Sequence, residues 1–398
     1  MVVPEKISGM IRLTIPEIGE EEIQAVVRVL RSGYLVQGVQ VREFERLVAE
    51  YVGVKHGIAV SSGTAALHLA LLALNIGPGD EVIVPDFTFP ATANVVEFVG
   101  AKPILVDIDL ATFNVDVSQI RRAITPRTKA IMPVHLFGQP ADMQPILEIA
   151  EQHGVSVIED AACALGAEYG GRKCGGMGRV GCFSFHPRKA ITTGEGGMVV
   201  TDDETVARRV AELRNHGIVA VNGQNQFQRA GLNYRMTDLQ GALGVAQMRR
   251  LESIITRRTE LAGLYHQALA GVPTVARPLA MEGLRHIWQS YVVLVREGVD
   301  RDGVLQTLGA HGIESTIGTY AIGVQPHYAR GSGQCPNSYY AYKHGVSLPL
   351  HTRMSAADVE RVAQCLEGIL TSQDSPAPLQ EPPSILPGMR PEVKPSRK

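Results

Sequence analysis

Residue types able to do chemistry gather in three short stretches. In GCFSFHPRKAITTGEGG, from Gly181 to Gly197, one lysine, Lys189, follows an apolar strand-like run and precedes a glycine cluster. A lysine amine attacks a carbonyl only when unprotonated, so a sheltered lysine is a candidate for Schiff-base chemistry. The same spacing fits a solvated loop lysine. Gly194, Gly196 and Gly197 would let backbone approach a flat ligand closely. In the second stretch, Glu159-Asp160 closes the apolar run Val155–Ile158, at the strand end where open α/β sheets bind ligands. An acid there can hold a protonated ring nitrogen, or it can cap a short helix over residues 161–166. The third stretch, SSGTAAL from Ser61 to Leu67, would place helix N-terminal N–H groups at Gly63, Thr64 and Ala65, an arrangement that holds a phosphate. A Ser/Thr cap on a buried helix is the plainer alternative.

Each stretch is ambiguous alone, but the three together describe one ligand with an aldehyde, a ring nitrogen and a phosphate. Pyridoxal phosphate carries those groups. Phe89, in PDFTFP, could supply an aromatic face for its ring, or belong to the core.

These residues need a scaffold. Apolar runs at 57–60, 81–85, 104–107, 130–134 and 155–158 alternate with helical patterns at 65–74, 92–99, 117–124 and 146–152. Such alternation predicts an α/β fold whose mainly parallel central sheet is flanked by helices. Two amphipathic helices precede it, at 18–30 and 41–51. Strand-like pieces at 181–185 and 197–201 extend the sheet. A long helical pattern over 239–264, a strand at 290–295 and a helix at 302–311 predict a smaller C-terminal α+β domain. The expected organisation is 1–250 for the large cofactor-binding domain, 251–371 for the small one, and 372–398 as a proline-rich disordered tail that cannot bury enough apolar surface to order itself.

Composition narrows the function classes. With 38 basic against 40 acidic residues, the formal charge is −2, which provides no basic field for nucleic acid. The N-terminus lacks the succession of a secretory signal, so retention in the cytoplasm is expected. The most apolar stretch, 65–76, is too short to span a membrane. Five cysteines without a C-x-x-C pair fit neither a disulfide framework nor a zinc ribbon. Gly176-Met-Gly178-Arg-Val-Gly181 satisfies G-x-G-x-x-G, with Asp202 some twenty residues on, but it does not follow a strand and open a helix, as a dinucleotide fingerprint must.

Several motifs fall in order: Ser32-Gly33-Tyr34, SGTAAL, VHLFG ending at Gly138, EDAA from Glu159, Ser184-Phe185 and KxxTxGEGG from Lys189. Through them, residues 11–370 resemble the DegT/DnrJ/EryC1/StrS family of sugar aminotransferases, within the PLP-dependent transferase fold type I. The resemblance implies that Lys189 forms the Schiff base (internal aldimine) with pyridoxal phosphate, that Asp160 keeps the pyridine nitrogen protonated and that Ser184 contacts the phosphate. It places Gly63, Thr64 and Ala65 in the phosphate cup, Phe89 against the ring, and Asn233 at the phosphate of a neighbouring subunit, so that a homodimer shares its active sites. Cys163 stands where the family often has glutamine, near the cofactor. Gly323 stands where it often has histidine, in the substrate loop that carries Tyr320; His186 is a possible substitute donor. The implied reaction is ping-pong transfer from an amino-acid donor, glutamate, to a nucleotide-diphosphate keto-sugar. The rivals are a dehydratase of the same family, which has histidine in place of the lysine, and a regulatory protein that binds the cofactor without turnover. A nicotinamide oxidoreductase rests on the glycine motif alone.

Overall fold

Apolar residues alternate along the strands of the sheet, and that alternation decides which helices cover each face. A computed structural model describes residues 9–329 and 335–372. The N-terminal helices are α1 (Glu20–Ser32) and α2 (Val39–Val52). The sheet region then runs β1 (His56–Val60), α3 (Gly63–Ala73), β2 (Glu81–Pro85), β3 (Phe87–Thr88), α4 (Ala91–Phe98), β4 (Lys102–Val106), α5 (Val117–Ala123), β5 (Thr128–Ile131), α6 (Met143–His153) and β6 (Ser156–Asp160). After the short strands β7 (Glu168–Tyr169) and β8 (Arg172–Lys173) come β9 (Val180–Ser184), β10 (Gly197–Thr201) and α7 (Glu204–Leu213).

The described residues form a seven-stranded sheet of order β1-β10-β9-β6-β5-β2-β4. All neighbours are parallel except those of β10, which runs against β1 and β9. Ile83, Ile131 and Val157 pack on one face with Phe44 of α2 and Ile146 of α6. Val82, Ala130 and Ile158 pack on the other with Leu69 of α3 and Val95 of α4. Both faces are therefore covered, as a parallel sheet requires.

Beyond it lie the hairpin β11 (Ile218–Val221) and β12 (Gln224–Phe227), then α8 (Asp238–Met248), α9 (Leu251–Ala268), β13 (Val275–Ala276), β14 (Leu284–Arg285) and β15 (Tyr291–Val295). The chain continues through α10 (Arg301–Ala310), β16 (Tyr320–Ala321), α11 (Pro336–His344), β17 (Gly345–Leu348) and α12 (Ala356–Ser372). Strands β13, β15 and β17 form a second sheet. A separate core gathers around it, with Tyr265, Tyr291, Leu308 and Leu366.

Two local expectations fail. The helical pattern over 239–264 is two helices, because the chain breaks at Arg249-Arg250 and turns the Arg250 guanidinium onto Glu17 of the N-terminal segment at 2.7 Å. Periodicity does not register a break of two helix-forming residues. No helix forms over 161–166; Ala161 N–H is taken instead by Cys182 O on β9, at 2.9 Å, and the chain proceeds through turns. The proline-rich tail lies outside the described residues, apart from Ser372, which ends α12. Among the described residues, no helix is long and apolar enough to cross a membrane.

Candidate active site

Asp160 ends β6 on the face of Ile158, toward α3 and α4, whereas Glu159 points to the opposite face. The Thr92 hydroxyl on α4 donates to Asp160 Oδ2 at 2.8 Å, and Ala162 N–H donates to Oδ1 at 3.2 Å. Burial still pushes this carboxyl above its ordinary range, outweighing those donors and the charge of Lys189. A cation held against it, such as a protonated ring nitrogen, is the partner that would return it to the charged form.

The helix cap and the proposed cup are one structure. Ser62 Oγ accepts Ala65 N–H at 3.1 Å, while the N–H groups of Gly63 and Thr64 lie beyond the reach of the helix's own carbonyls. Ala65 is buried with its N–H taken, set back from the cavity wall. Gly63 is required by packing, since a Cβ there would stand 2.8 Å from Ser184 Cβ. The absent side chain lets the Ser184 hydroxyl approach the helix start.

Lys189 sits in the turn after β9, its N–H donating to His186 O at 2.8 Å. Its Nζ donates to Cys163 Sγ at 3.0 Å, so the cysteine, in the turn after Asp160, meets the amine rather than standing apart. Arg188 N–H donates to His186 Nδ1 at 3.2 Å, which leaves the other ring nitrogen as the possible donor. Burial lowers the His186 pKa, against the pull of Glu195.

A cavity of about 800 Å³ joins these groups: Thr64, Phe89, Asp160, Cys163, Ser184, His186 and Lys189 line one side, and Gln289, Ser290, Thr319 and Ser347 the other. Its size suits a small-molecule site. A second concavity of about 920 Å³ lies between α1, α2 and α8, but it contains none of these residues. Phe89 is 63% exposed at the rim, and Tyr320, 37% exposed, meets it edge to face with ring centroids 6.5 Å apart. Asn233 is exposed and outside this cavity.

Gly196 and Gly197 serve the protein rather than a flat ligand, while nothing crowds Gly194, whose φ is 82°. A Cβ on Gly197 would stand 2.3 Å from Ser62 O, so this glycine brings β10 against the cup; one on Gly196 would stand 2.2 Å from Thr193 Oγ1 and 2.8 Å from Met236 Cε. The G-x-G-x-x-G motif is also occupied internally. Gly175, Met177 and Gly178 donate their N–H groups to the Glu159 carboxylate at 2.7, 2.7 and 2.5 Å, which removes the structural basis for a dinucleotide there. His135 completes that arrangement: Ala141 N–H donates to its Nδ1 at 3.0 Å, and its Nε2 donates to Glu159 Oε2 at 2.9 Å. Sequence reasoning missed Thr92 and Gln289. The first could have been found as the second hydroxyl of the nearby pair Thr88 and Thr92, whose hydroxyls lie 3.0 Å apart across the turn from β3 to α4; Gln289 has no such local signal.

Buried acid, primary amine and helix-terminal N–H groups in one cavity fit the nitrogen, aldehyde and phosphate of pyridoxal phosphate, so the fold and site define a PLP-dependent enzyme of fold type I. The model of the DegT/DnrJ/EryC1/StrS aminotransferase family matches residues 16–367, and the chain belongs to that family. It is 46% identical over 333 residues to the GDP-perosamine synthase of Caulobacter vibrioides, covering 82% of this chain and 89% of that one. The Streptococcus pneumoniae protein Spr1654, in its pyridoxamine-phosphate form, superposes with a TM-score of 0.87 at 29% identity, covering 92% of this chain and 98% of that one. PseC of Helicobacter pylori, an aminotransferase involved in pseudoaminic acid biosynthesis, has a TM-score of 0.87 at 28% identity, covering 91% and 100%.

Proposed function

We propose that this aminotransferase moves an amino group from glutamate to the keto group of a nucleotide-diphosphate sugar, with Lys189 as tether and proton carrier. The observation that carries the reading is the convergence of Lys189 Nζ, the Asp160 carboxyl and the Gly63-Thr64 helix start on one cavity. The bound cofactor supplies an aldehyde for the amine and an electron sink for the donor's α-carbon. Lys189 Nζ would tether the aldehyde and, as a free amine, would be the base that takes the donor's α-proton. Cys163 Sγ orients that amine, Asp160 holds the ring nitrogen charged, and Ser184 with Gly63 and Thr64 binds the phosphate. Cavity walls from both cores leave space for a second substrate beyond the cofactor. The Caulobacter relative's name makes a GDP-linked sugar the first acceptor to examine. The exposed position of Asn233 suits a role at the phosphate of a second copy, making the sites shared.

Purified protein should show the visible band of lysine-bound cofactor, lost on borohydride treatment. Glutamate should bleach it, as should GDP-perosamine run in the reverse direction. A band that no amino donor shifts would favour binding without turnover. Mixing Lys189→Ala with Asn233→Ala subunits should restore activity in hybrids; no recovery would count against shared sites.

A further inference from the structure

The loop that carries Tyr320 and Gly323 is bound to the wall of the site through one buried acid. Asp86, 2% exposed, joins β2 to β3. Its N–H donates to Val106 O at 2.8 Å, its O accepts Ile322 N–H at 2.8 Å, and its Oδ1 accepts Gly323 N–H at 2.5 Å. Next to it, β3 pairs antiparallel with β16, with Thr88 opposite Tyr320 and Ala321 opposite Phe87. Thr88 also touches Thr92, which donates to Asp160. A short chain of contacts therefore runs from Asp160 to the backbone of Tyr320. Farther along, Tyr328 OH donates to Asn94 Oδ1 at 2.5 Å and His327 Nε2 meets Glu97 Oε2 at 2.5 Å, both on α4. A second buried acid, Asp107, accepts Asn337 N–H, Ser338 N–H and the Ser338 hydroxyl at 3.0, 2.8 and 2.7 Å, and so caps α11, which has no side-chain cap of its own. Two neighbouring carboxyl groups thus hold the turn at Gly323 and the start of α11.

Tyr320 stands beyond Phe89, at the rim, while Lys189 and Asp160 lie deeper. Tyr320 meets the cavity through Phe89, so a group that contacts it must extend to the exposed rim, which a nucleotide-linked sugar is long enough to do. We infer that Asp86 is a positioning residue for the acceptor: its carboxylate fixes the turn at Gly323, and through it Tyr320, where the larger substrate leaves the cavity. This inference rests on the aminotransfer reading above.

The bond to Gly323 is strongest when Asp86 is ionised. Burial, and then the charge of Asp107 at the end of β4, push Asp86 up to about 6, against the Gly323 N–H and the Ser338 hydroxyl. Burial, and then the charges of Asp86 and Asp107, raise the pKa of the Cys335 thiol at the start of α11. The anchor therefore weakens as pH falls through about 6.

Two measurements on the holoenzyme test this, with Asp86→Asn as the isosteric variant and Asp86→Ala as the one that deletes the anchor. The first is hydrogen exchange of peptides spanning residues 318–328. Exchange should accelerate about 10-fold in Asp86→Ala while the visible cofactor band, which reports an intact site, is unchanged. Equal exchange in wild type and Asp86→Ala would overturn the inference. The second separates the half-reactions, using glutamate for the donor and GDP-perosamine in reverse for the sugar. The sugar KM should rise about 10-fold in Asp86→Ala with the glutamate KM unmoved. In wild type it should climb as pH drops from 8 to 5, and Asp86→Asn should flatten that profile. Equal rises in both KM values, or a pH profile retained in Asp86→Asn, would overturn positioning. A wild-type enzyme that takes the amine from glutamate but exchanges it with no nucleotide sugar defeats the sugar reading instead, and the exchange measurement then decides the anchor alone.

Discussion

The two faces of β6 carry adjacent acids that meet opposite fates. Glu159 is fully buried, yet three backbone N–H groups and the His135 imidazole surround it. Burial works to raise its pKa, but His135, Gly178 and Gly175 together hold it below the carboxylate norm. Asp160, one residue later, has fewer donors and is pushed upward by burial. One acid has its full complement of partners inside the protein. The other keeps a deficit that an external cation can fill, which separates an acid satisfied within the protein from one open to a ligand more sharply than burial does. The same contrast separates the two clusters of N–H groups: those of Gly175, Met177 and Gly178 are turned on Glu159, while Gly63 and Thr64 face the cavity.

The largest effect expected on the cavity side is from Lys189→Ala, which should remove the visible band and lower turnover by about 10⁴-fold or more, with denaturant stability nearly unchanged. A large loss of stability would place Lys189 with the structural group. Next, Glu159→Ala should cost about 3 to 5 kcal/mol of folding stability in urea titrations, because it leaves several buried donors unpaired. A loss below about 1 kcal/mol would contradict a structural role for Glu159. Asp160→Asn should keep the fold but lower turnover roughly 10- to 100-fold, the worth of one charge-assisted hydrogen bond.

The pH dependence of cofactor-free protein sharpens the same contrast. A depressed carboxyl such as Glu159 contributes stability that is present above its unfolded value, about 4.3, and lost as pH falls. A raised one such as Asp160 contributes stability that is complete below about 3.9 and lost as pH rises through its folded value. Relative to wild type, Asp160→Asn should therefore become more stable as pH increases from 4 to 8, whereas the deficit of Glu159→Gln should stay nearly constant over that range and shrink only as pH falls below about 4.3, as thermal melts at each pH would show. A Glu159→Gln deficit that shrinks as pH rises, or an Asp160→Asn variant that loses ground over the same range, would refute the assignment. The smallest effect is from Phe89→Ala, which at a 63% exposed residue should leave stability within about 0.5 kcal/mol and weaken cofactor binding roughly 2- to 10-fold, in keeping with lost aromatic stacking.

Much of this was legible along the chain. Lys189, Asp160 and the Gly63-Thr64 turn were readable because each follows a strand, and strands of a parallel sheet deliver their ends to one edge. The alternation that predicted the sheet depends only on neighbouring residues, as does the choice between helix and strand over most of the large sheet. The partners that decide charge were not readable. Thr92 lies 68 positions from Asp160, and the Asp86–Gly323 bond spans 237. Local pattern likewise assigned the glycines after Lys189 to a ligand, whereas Gly197 is packed against the cup and Gly196 against Thr193 and Met236.

The sequence by itself determined the kinds of chemical group available and the strand ends on which they would sit, since side-chain chemistry and backbone periodicity are local properties. Only the tertiary structure decided which acid has its partners inside the protein and which faces the cavity. Burial and hydrogen bonding set that balance, and both depend on segments that folding brings together from distant parts of the chain.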